Sequence, residues 1–232
     1  MTNYFATAKL FVMLVVGVHD AARELGVSVR QVENLVAHGK LTSPARGLID
    51  PSSVDRFVVL HGRSRSRPWS MPTAWGAVAL LSGAAAAWMG QSQRSRLKGR
   101  LREASADAVV AQTRARAATA RYAGHPSAVT RLRAEIVDTG ATSTRLGLTP
   151  SADVDGYVND EALPELTRRF ALVRDDSGQF TLRATTFPIE VVSELAAGAD
   201  VLAALDLAES LDVRERQTGL GALAAALEAL HG

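Results

Sequence analysis

Two short helical patterns separated by three residues, in VHDAARELGVSVRQVENLVAHGKL from Val18 to Leu41, constrain the fold more than any other stretch of this chain. Ala21, Ala22 and Leu25 recur as the inward face of a first helix, with Asp20 in its first turn, where the helix dipole favours an anion. Gly26 supplies the left-handed residue that ends a helix, and Ser28 is a good N-cap for the next. Val32, Leu35 and Val36 then recur at i, i+3 and i+4, so the second helix buries one face and turns Arg30, Gln31, Asn34 and His38 away from it. The forked donors and acceptors of Arg, Gln and Asn match guanine and adenine edges in a major groove. A merely solvated helix face would leave the turn, and the wing expected after it, as coincidence.

After Gly39, KLTSPARGLIDPSSVDRFVVL is expected to form a wing. Its parts are a strand near Lys40-Leu41, a turn over Pro44 to Gly47, a strand at Leu48-Ile49 and a helix from Pro51 or Ser52 through Val59. Leu14 to Gly17 supplies a first strand, which gives a winged helix-turn-helix over residues 13–61 and an N-terminal extension over 1–12, with Met13 a candidate start. The apolar run Leu10 to Val18 has the length of a signal-peptide core, but no small-x-small cleavage site follows it.

AARELGVSVRQVENLVAHGKL followed by GLIDPSSVDRF resembles the MerR-like and excisionase-like winged helix-turn-helix domains. The resemblance implies that Ser28, Arg30, Gln31 and Asn34 face bases or phosphates of double-stranded DNA, and that Lys40 and Arg46 reach its backbone phosphates. Arg63, Arg65 and Arg67 follow in a basic linker over residues 62–71, expected as a flexible connection, as an arm placing Arg in the minor groove or along phosphates, or as both.

Charge divides the chain further. Residues 1–133 hold 19 Lys and Arg against 7 Asp and Glu, whereas residues 134–232 hold 7 against 17. A front half that meets a polyanion and a back half that meets something else, or partly covers the front, would account for this. The chain has no cysteine, which excludes disulfides, thiolate catalysis and Cys-rich zinc sites, and is compatible with the cytoplasm, where the protein is expected.

Pro68 to Gln93 carries no charge and has Trp69, Trp75 and Trp88 near its ends, a transmembrane-like spacing. It is built chiefly of Ala, Gly, Ser and Thr, so a buried Ala-rich helix is favoured over a membrane span. The sequence predicts helices throughout residues 72–137: one from Thr73 to Met89, a basic one from Ser92 or Ser95, and one from Pro126 to Val137. In the basic helix Arg94, Arg96, Lys98, Arg100 and Arg102 alternate with Leu97 and Leu101, a pattern that reads as a solvated face or as a track for phosphates.

From Leu146 the pattern turns mixed. Asp160 to Phe170 is expected as a helix, ALVRDDSGQFTLRAT as a hairpin about Asp175 to Gly178, Val201 to Leu207 as a buried strand, and Val213 to Leu230 as a final helix. RYAGHPSAVTRLRAEIVDTGATSTRLGL, GYVNDEALPELTRRFALVRDDSGQFTLRAT and VLAALDLAESLDVRERQTGLGALAAAL together resemble the antitoxins of abortive-infection, nucleotidyltransferase-linked type IV toxin–antitoxin systems of actinobacteria. That resemblance implies a toxin partner of nucleotidyltransferase type.

Asp206, Glu209, Asp212 and Glu215 form the densest carboxylate cluster, expected as caps and solvated helix ends. No GxxxxGK[ST], HExxH or GxSxG motif occurs, and His19, His38, His61, His125 and His231 are scattered without ligand spacing. The expectation is therefore a protein without enzymatic activity, cofactor or metal. It is mainly α with small β elements (α+β): an N-terminal winged helix-turn-helix, a central helical region and an acidic C-terminal α/β region over 138–232 for partner or homodimer contacts. The expected function is sequence-specific regulation of transcription, as an autoregulating antitoxin. The alternatives are an excisionase-like architectural protein and a membrane-tethered regulator with a span at 68–93.

Overall fold

Alternating apolar and polar residues make the strands of this protein, and Ala-rich or i, i+3, i+4 apolar runs make its helices. The computed structural model describes residues 15–37, 40–61, 67–149, 152–210 and 212–231. They form a mainly α fold with small sheets, divided into two compact units, residues 1–65 and 66–232.

In the first unit, α1 (Val18–Leu25) ends at Gly26, whose φ of 65° is the left-handed conformation a side chain would resist. α2 (Val29–Ala37) follows, and α3 (Pro51–His61) begins where the Asp50 carboxylate accepts the Ser52 N–H at 2.9 Å. Ala21, Ala22, Leu25, Val32, Leu41, Ile49 and Val54 close a small core. β1 (Val16–Gly17) pairs antiparallel with β2 (Leu48–Ile49), Val16 opposite Ile49. The expected first strand is thus shorter than Leu14 to Gly17 among the described residues. No strand forms at Lys40-Leu41: Leu41 is instead buried in the core, and Ala45 bridges back to Leu48 around Gly47 at φ 78°.

The second unit is built on a five-stranded mixed sheet in the order β4-β5-β7-β3-β6, comprising β3 (Ala118–Ala123), β4 (Val137–Asp138), β5 (Val154–Asn159), β6 (Val173–Arg174) and β7 (Phe180–Thr185). Only β5 and β7 are parallel. On one face Val154, Val158, Phe180, Leu182 and Ala184 pack against α7 (Val129–Arg133) and α8 (Leu163–Arg169) through Leu132 and Leu166. The other face belongs to a larger core around Trp75, drawn from α4 (Met71–Leu81), α5 (Gln91–Arg102), α6 (Ala106–Thr113), α9 (Ile189–Gly198), α10 (Val201–Ala208) and α11 (Val213–Ala229).

Several expectations are corrected here. Residues 72–137 are not helical throughout, because Ala118–Ala123 is a strand, paired with β7 from Ala118 to Tyr122. The helix expected to reach Met89 stops at Leu81, where the chain turns through Gly83 at φ 76°. The one expected over Pro126 to Val137 is a 3-10 turn, the short α7 and then β4.

Val201–Ala208 is a helix, not a strand. A short apolar run has no period to separate the two, and Ala203 and Ala204 favour a helix that is buried on almost every side. It packs so closely on α11 that a Cβ on Gly219 would lie 2.5 Å from the Ala204 carbonyl oxygen. β6 and β7 are not a hairpin, since β3 lies between them and pairs with both. The Asp175 to Gly178 turn bridges over the end of β3, with Gly178 so close to the Tyr122 carbonyl that a Cβ there would stand 2.1 Å from its carbon.

No described helix is long and apolar enough to cross a membrane. Over the stretch 68–93, the chain folds into α4, a turn and the start of α5, with Trp75, Ala77, Val78 and Ala79 fully buried in the protein core.

Candidate nucleic-acid interface

The turn of the first unit sets the direction of α2. Ser28 Oγ accepts the Gln31 N–H at 3.2 Å, satisfying one of the donors a helix start leaves open. Val32 is fully buried, and Leu35 and Val36 pack beside it, so the opposite side of α2 faces outward. At 3.6 residues per turn, Arg30 and Asn34 fall at the centre of that outward side, one turn apart, with Gln31 and Glu33 on its flanks. All four are exposed, as is Ser28. Glu33 is a residue that sequence reasoning passed over. A carboxylate there repels phosphates and accepts a hydrogen bond from cytosine, so it restricts how α2 can meet DNA.

Lys40 and Arg46 are exposed in the same unit. Arg46 stands in the turn held by the Ser43 hydroxyl, which bonds the Ala45 and Leu48 carbonyls at 2.9 and 2.8 Å. Arg67 is exposed but belongs to the second unit. His38, Arg63 and Arg65 lie outside the described residues.

No family model matches this chain, and neither curated proteins nor solved structures return a match.

The second unit holds a feature that the sequence did not lead us to expect: a buried charge cluster between the sheet and α10. Arg116, 1% exposed, donates from Nε to the Tyr157 hydroxyl, from Nη1 to Glu209 Oε1 and from Nη2 to Asp206 Oδ1, all at 2.7 Å. Tyr157 in turn donates to Asp206 Oδ1 at 2.6 Å, and Thr139 donates to Asp206 Oδ2 at 2.7 Å. Arg183 grips Asp155 with Nε and Nη2 at 2.7 and 3.0 Å and reaches Glu209 with Nη1. Asp206 and Glu209 are thus core residues, not solvated helix ends. Asp212 does cap α11, and Glu215 accepts from Ser210 Oγ.

Electrostatics follow from that geometry. Burial pulls the guanidinium pKa of Arg116 down, but Glu209, Tyr157 and Asp206 outweigh it and hold the group charged. Burial opposes ionisation of Glu209, yet Arg116 and Arg183 keep its carboxyl below the ordinary range. Burial raises Tyr157, which stays a neutral donor. Asp155 is pushed up to about 6 by burial, with Asp206 and Glu209 adding to the rise and Arg183 opposing it.

A folded-state pKa above the ordinary value means that the folded chain binds the proton more tightly than the unfolded one. The Asp155 contribution therefore favours folding at lower pH and declines as pH rises from about 4 through about 6. Asp155→Asn removes that declining contribution, so the unfolding midpoint of the variant relative to the parent should rise as pH goes from about 4 to about 6. Parallel pH profiles would show that Asp155 titrates normally. Among the described residues, no group of three or more His, Asp or Glu side chains is placed to hold a metal ion.

Proposed function

We propose that this protein is a sequence-specific double-stranded-DNA-binding regulator that reads bases with the outward face of α2. The observation that carries this is the Arg30 and Asn34 row, one turn apart and exposed, on the second helix of a compact helix-turn-helix. Lys40 and Arg46 add exposed cations suited to phosphates, which position a protein on the duplex without reading it. The resemblance of the first unit to MerR-like and excisionase-like domains supports the same reading. The looser resemblance of the second unit to abortive-infection antitoxins supports a finer one, in which the protein represses its own operon and binds a nucleotidyltransferase-type toxin.

A binding site selected from a random duplex library, compared with unselected duplex, tests the first reading. Arg30→Ala and Asn34→Ala should each lose about 1–3 kcal/mol of discrimination, and Arg46→Ala should weaken both duplexes alike. Equal losses on both duplexes for all three variants would remove α2 as the reading helix. Co-purification with the untagged product of the neighbouring gene tests the antitoxin reading, which an absence of complex would refute.

A further inference from the structure

α5 carries its charges in an arrangement that its alternating sequence does not reveal. Leu97 and Leu101 are fully buried and fix which side faces inward. On the helix, Arg94, Lys98 and Arg102 then form one row at i, i+4, i+8, and Arg96 and Arg100 form a second row on the other flank of the leucine seam. Between the rows, along the outermost line, lie only small residues: Ser92, Ser95 and Gly99, all exposed. Steps within a row rise about 6 Å.

No carboxylate occurs from Gln91 to Arg102, the exposed Glu103 at the C-cap lies one turn beyond Gly99 at the end of the crest, and among the described residues none of the five cations is in an ion pair. Arg94 bonds the Met89 carbonyl at 2.8 Å and Arg102 the Leu230 carbonyl at 3.4 Å, which steadies the rows without neutralising them. Arg100 lies over the Trp69 ring at 5.3 Å. The second unit as a whole has 18 Lys and Arg against 19 Asp and Glu, so an uncompensated cationic face is not a consequence of overall charge.

We propose that this face of α5 is a second duplex-DNA contact, a sequence-independent ridge whose two cation rows hold backbone phosphates while its small-residue crest lets the backbone approach. It rests on the DNA-binding reading of α2. Ser and Gly on the crest offer nothing to insert into a bilayer and no forked side chain to read a base, and the rows between which they lie suit a regularly spaced polyanion. Phosphate contacts of this kind raise affinity for duplex of any sequence and add to whatever α2 reads.

The full chain, its R96Q/K98Q/R100Q variant and a separate S95E variant are titrated with the selected site and with random duplex between 50 and 200 mM salt. The triple variant should weaken both duplexes by a similar factor, about tenfold or more near 100 mM, and should flatten the log–log salt slope by about 2–3. S95E, a single exposed change that places a carboxylate on the crest, should act in the same direction even if the triple variant folds poorly. Unchanged affinity and slope in both variants would overturn the ridge and leave the α2 reading standing. Loss of discrimination confined to the α2 variants, with equal weakening on both duplexes confined to the α5 variants, separates the two surfaces. Binding of phosphatidylserine vesicles through these cations, without any effect on DNA, would assign the face to a membrane, and a chain that binds no duplex at all would overturn both surfaces.

Discussion

Arg116→Ala should destabilise the second unit by about 3–5 kcal/mol, because it leaves Asp206 and Glu209 buried with one guanidinium to serve three carboxylates. The cost is that of stranding charge, which exceeds what the intact pairs contribute. Arg116→Lys should recover little of it. A single ammonium cannot reproduce three donors aimed at Tyr157, Glu209 and Asp206 in one plane. The measurement is convenient, since Trp69, Trp75 and Trp88 all fall in the second unit, and denaturant unfolding followed by tryptophan fluorescence therefore reports on that unit. A loss below about 1 kcal/mol would mean that water or a shifted α10 replaces the missing guanidinium.

Trp75→Ala should cost a similar amount, about 3–5 kcal/mol, for a different reason. Trp75 is fully buried, stacked on Phe187 at 5.5 Å and edge-on to Tyr157 at 5.4 Å, so truncation opens a cavity at the junction of α4, the sheet and the loop before α9. Its Nε1 also donates to the Arg116 carbonyl oxygen at 3.1 Å, an oxygen that the Thr185 hydroxyl reaches at 3.0 Å. Trp75→Phe keeps most of the volume and loses the donor. It should cost clearly less than the Ala change, and the difference between the two separates packing from hydrogen bonding. Equal losses would place the whole contribution in the indole N–H.

The two changes are coupled through shared partners. Arg116 holds Tyr157 by its side chain and Trp75 by its backbone, and Trp75 packs on Tyr157. The double variant should therefore lose less than the sum of the singles.

The first unit was largely legible. Gly26 and Ser28 punctuate two helices whose apolar residues keep a 3.6-residue period, and local rules of this kind act within a few residues. The exposure of Arg30, Gln31 and Asn34 follows directly from the burial of Val32. The second unit was legible only in pieces. Its elements are short, its strands pair out of sequence order, and β3 inserts between β6 and β7, none of which leaves a local mark. The front-half excess of Lys and Arg suggested two oppositely charged modules. Arg116 from the front half is instead paired in the core with Asp206 and Glu209 from the back half.

The charge cluster shows why. In FTLRAT the alternation of Phe180, Leu182 and Ala184 with Thr181, Arg183 and Thr185 reads as a strand with one wet face. The fold covers that polar face with α10, and 97% of Arg183 is removed from solvent. Period-two patterning states which residues share a face of a sheet, but not whether a helix elsewhere in the chain carries the carboxylates that make burying the charged face tolerable. By itself, then, the sequence determined the helix-turn-helix, the outward row of Arg30 and Asn34 and the alternation of Phe180–Thr185, because these depend on neighbours along the chain. Only the tertiary structure decided the sheet order, the helical state of Val201–Ala208 and the burial of Arg116 and Arg183. Those depend on pairings across 26 to 93 residues, where a charge becomes a core residue only when its partner arrives.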